Sequence, residues 1–100
     1  MVNPAASRQQ IDLRLEQLRS RQYVDLLALP PFAIEEVPFG GETWSVTTYR
    51  SLEKEAVRIV VQIGPPQPKF LLMHVQAAGF RMNRSGMISP LSERELDEFM

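Results

Sequence analysis

Between residues 42 and 77 short apolar runs alternate with turn-forming pieces, the rhythm of an antiparallel sheet. Segments 43–50, 56–63 and 70–77 have strand composition, and 51–55 and 64–68 separate them. In the first, Trp44, Val46 and Thr48 share one face, and Ser45, Thr47 and Tyr49 share the other. In the second, Val57, Ile59, Val61 and Ile63 make an unbroken aliphatic face, the natural anchor of a core. Opposite them stand Ala56, Arg58, Val60 and Gln62. In the third, Leu71, Met73, Val75 and Ala77 face one way, and Phe70, Leu72, His74 and Gln76 the other. A strand apolar on both sides is normally covered on both.

N-terminal to this sheet the period changes. From Ser7 to Leu29 helix formers dominate without Gly or Pro, and Ile11, Leu15, Leu18, Leu26 and Leu29 mark one side. Ser7, with Gln10 three residues on, is a weak capping box, so residues 1–6 are expected to fray. Arg8–Asp12 and Glu16–Arg19 are spaced to pair on the wet side. The apolar phase weakens near Ser20–Gln22, where a break is admissible, and Pro30-Pro31 ends the helix.

Residues 32–39 read as an edge strand, because Pro38 cannot donate to a ladder and Glu35 and Glu36 blunt an edge. Gly40-Gly41 is a two-residue hairpin signal. Beyond residue 77, Ala78-Gly79 reads as a bulge within one bent strand reaching Asn83. Asn83-Arg84-Ser85-Gly86 is a turn, 87–89 a short returning strand, and Ser92 with Glu95 a capping box opening a C-terminal helix. The expected fold is α+β: an N-terminal amphipathic helix packed on a four- to five-stranded antiparallel meander, with a short C-terminal helix. The 100 residues make a single domain, 1–100.

Composition narrows the function classes. Apolar residues are 44% and charged residues 23%, the globular norm, and a formal net charge of −1 gives no bulk attraction to nucleic acid. The chain has no cysteine, which removes disulfides and thiolate chemistry and fits a reducing, cytoplasmic setting. No apolar run is long enough to span a bilayer, and no signal-peptide core is visible, so membrane association is not expected.

Catalytic candidates are sparse. His74 is the single histidine, and its neighbours on the same side of the strand include no acid. Glu93, Glu95, Asp97 and Glu98 match no calcium loop and suit the positive end of a helix. No phosphate loop or nucleophile elbow is present. No cofactor, metal site or catalytic residue is therefore assigned. Pro65 to Pro68 has PxxP spacing but is flanked by strands and reads as a constrained loop.

The informative feature is surplus apolar surface on the second sheet face, where Tyr49, Val60, Phe70 and Leu72 are expected to align. The leading expectation is a non-catalytic interaction or assembly domain, homodimeric through that face. One alternative is a small-ligand pocket near Trp44, Tyr49 and His74, with His74 as a weak acid–base group. A second is a nucleic-acid accessory protein that uses Arg50, Arg58, Arg81 and Arg84 with Trp44, Tyr49 and Phe80.

Overall fold

The computed structural model describes residues 4–39, 41–64 and 76–97. Its elements run α1 (Pro4–Arg19), α2 (Tyr23–Leu27), β1 (Phe32–Phe39), β2 (Glu42–Glu53), β3 (Ala56–Gly64), β4 (Gln76–Asn83), β5 (Ile88–Pro90) and α3 (Glu93–Asp97). The strands form one five-stranded sheet in the order β1-β2-β3-β4-β5, each pair antiparallel. The fold is the expected α+β meander with a helix at either end.

Local signals set most boundaries. α1 begins at Pro4 rather than after Ser7, because proline suits a first helical turn whose N–H groups have no intrahelical partner. The helix breaks at the weak-phase stretch, and α2 starts afresh at Tyr23. Past α2, Arg50 fixes the approach to β1: its Nε donates to the Leu29 carbonyl at 2.8 Å and its backbone N to the Pro31 carbonyl at 2.9 Å. The β1–β2 register pairs Phe39 with Glu42, leaving a two-residue connection in which Gly41 has φ +79°. The turn after β4 is held by the Asn83 side chain, whose Oδ1 accepts from the backbone N of Ser85 and of Met87, each at 3.0 Å. Gly86 supplies the positive φ, +86°, that this turn requires. Before α3, Glu95 N donates to Ser92 Oγ at 3.2 Å and Ser92 N to Glu95 Oε1 at 3.3 Å, the reciprocal capping box.

Helices α1 and α2 pack on the same side of the sheet. Ile11, Leu15 and Leu18 of α1 and Leu26 of α2 meet Trp44, Val46, Val57, Ile59, Val61, Ile63, Ala78, Phe80 and Met82 in one core. The aliphatic face of β3 is thus the anchor, and Phe80 of β4 is its largest fully buried side chain. On the wet side of α1, Arg8 pairs with Asp12 at 3.1 Å. Arg19, spaced to pair with Glu16, instead stands over the Phe80 ring, 5.8 Å from its centroid.

Two features of β4 differ from expectation. There is no bulge at Ala78-Gly79: Val61 pairs with Ala78, Val60 with Gly79 and Ile59 with Phe80 without interruption. Glycine is placed there for space instead, since a Cβ on Gly79 would lie 2.3 Å from the Ile59 carbonyl oxygen. Gln76, expected on the side of Val60, pairs with Ile63 and so belongs to the helix-covered face. The proposed loop 64–68 past Gly64 and the expected strand 70–77 before Gln76 lie outside the described residues.

Among the described residues no helix is long and apolar enough to cross a membrane.

Candidate functional site

The second face of the sheet divides into a covered half and an open half. The row Phe32–Tyr49–Val60–Gly79 crosses the sheet from β1 to β4. Along it Phe32 is 60% exposed, Tyr49 is half-buried and Val60 is fully buried. The covered end is closed by the chain after β5. Leu91 N donates to the Gly79 carbonyl at 3.3 Å, and its Cδ1 would stand 2.9 Å from a Cβ at Gly79. Leu91 is itself buried, and glycine at position 79 makes room for it.

Ion pairing locks this flap. Arg81, on the second face of β4, bonds both Glu53 of β2 and Glu95 of α3. The hydrogen bond from Arg81 holds the carboxyls of Glu53 and Glu95 below the ordinary value of 4.5, and the Ser92 backbone N–H adds to the effect at Glu95. The same bonds push the Arg81 guanidinium upward, Glu53 contributing more than Glu95. A carboxyl whose pKa falls on folding adds stability above its unfolded value, and that stability disappears as the pH drops through the lower folded value. Arg81→Gln is therefore expected to melt at a lower temperature than wild type near pH 7. The gap should close as the pH falls below 4.5, which paired thermal melts across pH 3–7 would measure.

The open half lies along β1. Phe32 and Ile34, both 60% exposed, project from the side away from the helices, opposite Tyr49 and Thr47. Tyr49 Oη donates to Gln62 Oε1 at 3.3 Å, which orients the phenol along the sheet. On the helix side, Arg14 of α1 forms a two-bond pair with Glu35, and its hydrogen bond lowers the Glu35 carboxyl pKa.

Among the described residues β1 is also a free edge of the sheet. Arg50 N bonds to the Pro31 carbonyl, so the inward-facing backbone groups belong to odd-numbered residues: 31, 33, 35 and 37. Phe32, Ile34 and Glu36 then present their N–H and C=O groups outward, and Pro38 falls where the missing donor faces away from the sheet.

The residues singled out in the sequence are distributed as follows. Tyr49 and Val60 are neighbours on the second face, whereas Phe70, Leu72 and His74 lie outside the described residues. Trp44 is buried beneath the helices and Tyr49 lies on the opposite face, so the fold does not bring these two into one pocket. The arginine and aromatic set is likewise dispersed. Arg50 supports the Leu29 carbonyl, Arg58 Nε donates to Ser51 Oγ at 3.2 Å, Arg81 is held by two carboxylates, and Phe80 is buried.

A second concavity had no signal in the sequence. A cleft of about 430 Å³ opens where the α1–α2 break meets the turn after β4, lined by Arg19, Arg21, Tyr23, Val24, Met82 and Arg84 among others. Arg19 and Arg21 are two residues apart at the α1–α2 break, but Arg84 comes from the turn after β4, and no local spacing links it to them. Among the described residues no group of three or more His, Cys, Asp or Glu could hold a metal ion.

Comparison with family models, with curated proteins and with solved structures gave no match.

Proposed function

We propose that this protein is a non-catalytic assembly module that pairs with a second copy of itself along β1, using the open half of the second sheet face. The observation that carries this reading is the symmetry of the free edge. Its outward donors, at Phe32, Ile34 and Glu36, are centred on Ile34 and bracketed by Pro30 and Pro38, neither of which can donate. A twofold axis at Ile34 sets Ile34 against its copy and Phe32 against Glu36 of the second chain, in the hydrogen-bonded pairing that their outward groups require. No glutamate opposes a glutamate in that register, and the prolines end the ladder at both sides. Phe32, Ile34 and Tyr49 flank the joint as apolar contacts, with Val60 as buried support beneath them. An exposed apolar edge without such a partner is an aggregation hazard, which supports pairing as its purpose.

Light scattering across a concentration series is expected to give a dimer. Amides of Phe32, Ile34 and Glu36 should gain hydrogen-exchange protection as dimer forms. Ile34→Asp places like charges on the axis and should yield a folded monomer, with affinity reduced by at least about a hundredfold, as like charges directly opposed are strongly disfavoured. A wild type that stays monomeric at every concentration would remove the proposal.

A further inference from the structure

We infer that the cleft between the α1–α2 break and the turn after β4 binds a phosphorylated small molecule, with Arg19, Arg21 and Arg84 as its anion-holding groups. This does not depend on self-association, and its readout is separate. All three arginines line the one cleft, and among the described residues no acidic side chain lines it with them. None of the three has a carboxylate within ion-pair distance among the described residues. Elsewhere Arg8, Arg14 and Arg81 each face a carboxylate, Arg50 serves a backbone carbonyl and Arg58 donates to Ser51 Oγ.

Three guanidiniums around a concavity repel one another, and an anion with more than one negative charge relieves that repulsion. The helix dipole accounts for a cation at Arg19, at the C-terminal end of α1, but not for Arg21 or Arg84. Arg19 is also oriented by the Phe80 ring beneath it, which spares part of the ordering cost on binding. Arg84 is carried on a turn whose backbone donors are already taken: Ser85 N and Met87 N bond Asn83 Oδ1, and Gly86 N bonds the Asn83 carbonyl. The turn is therefore a stiff mount for the side chain.

The ligand class follows from charge, shape and size. Guanidinium forks match phosphate oxygens in pairs, and three forks suit a phosphate dianion or a diphosphate better than a single carboxylate. Tyr23, Val24 and Met82 give the cleft an apolar wall for an organic portion, with Gln22 and Ser85 as neutral polar contacts. About 430 Å³ is the size of a small-molecule site. A nucleic-acid polymer fits less well, because Arg8, Arg14 and Arg81 are each paired with a carboxylate and the chain's formal net charge is −1.

The test is calorimetric titration of the full chain at low salt with inorganic phosphate, pyrophosphate and ADP, repeated with a single-stranded oligonucleotide. Saturable binding is expected, tighter for pyrophosphate and ADP than for phosphate, and weakening with added salt. Arg21→Gln and Arg84→Gln should each reduce the pyrophosphate affinity about tenfold. Arg84→Lys should retain more of it than Arg84→Gln, which separates loss of charge from loss of fold. Arg94→Gln, on α3 away from the cleft, should leave it unchanged. No saturable response to any of the three anions would overturn the inference. So would an equal loss in Arg94→Gln, or oligonucleotide binding that pyrophosphate does not displace.

Discussion

Replacing Phe80 by alanine is expected to lower stability by about 3–5 kcal/mol, the range for a large aromatic removed from a packed core. Phe80 is fully buried, and the residues around it come from α1, α2, β2, β3 and β4. Few of these can move into the space, because the sheet register on both sides of β4 is fixed by continuous pairing. A domain of this length has a total stability of only about 5–15 kcal/mol, so the variant should melt about 15 °C or more below wild type. Differential scanning calorimetry would measure this. The same ring underlies Arg19, so a tolerated Phe80→Leu should also loosen the cleft arginine without opening the core as far.

Gly79→Ala should be nearly as damaging despite adding a single methyl. The new Cβ would meet the Ile59 carbonyl oxygen at 2.3 Å and the Val60 Cα at 3.1 Å, both backbone atoms of the paired strand. It would also meet Leu91 Cδ1 at 2.9 Å, a side-chain atom with more freedom to turn aside. Relief therefore requires β3 and β4 to separate, and the expected cost is about 3 kcal/mol, the upper part of the range for overpacking. The distinguishing result is local: hydrogen exchange should rise first at Leu91 and across the β3–β4 pairing, before α1 is affected. A variant with wild-type stability would mean that glycine at position 79 serves no spatial purpose.

These two expectations share one origin. Along β4, Ala78, Phe80 and Met82 point to the helices, while Gly79 and Arg81 point to the flap that carries Leu91 and α3. The alternation is visible in the sequence once the strand is taken as regular. Reading Ala78-Gly79 as a bulge breaks that alternation and makes Phe80 look like a surface aromatic. Glycine in a strand has two physical explanations, an irregular backbone or a close neighbour, and only the neighbour's position separates them. Gln76 carries the same lesson: its side of the sheet follows from its pairing with Ile63, a contact made across the chain.

The surface proposed for self-association was legible in part. Excess apolar character on the second face is evident from composition, and Tyr49 and Val60 do share that face. Which of them meets water is set by the packing: Val60 is fully buried, Leu91 packs on Gly79, and Phe32 and Ile34 stay open. Phe32 and Ile34 are recognisable as residues of an edge strand, though nothing local marks them as the exposed part of that face.

By itself the sequence determined whatever depends on neighbours along the chain. The meander, the weakness at Ser20–Gln22, the edge strand that tolerates Pro38, the Asn83 turn and the Ser92–Glu95 box all follow from backbone sterics, side-chain period and local hydrogen bonds. The tertiary structure decided which half of the second face is covered, why position 79 must be glycine, and that Arg19, Arg21 and Arg84 share a cleft. Those outcomes rest on contacts between distant segments, and their geometry is set by how the sheet and helices pack rather than by any spacing in the chain.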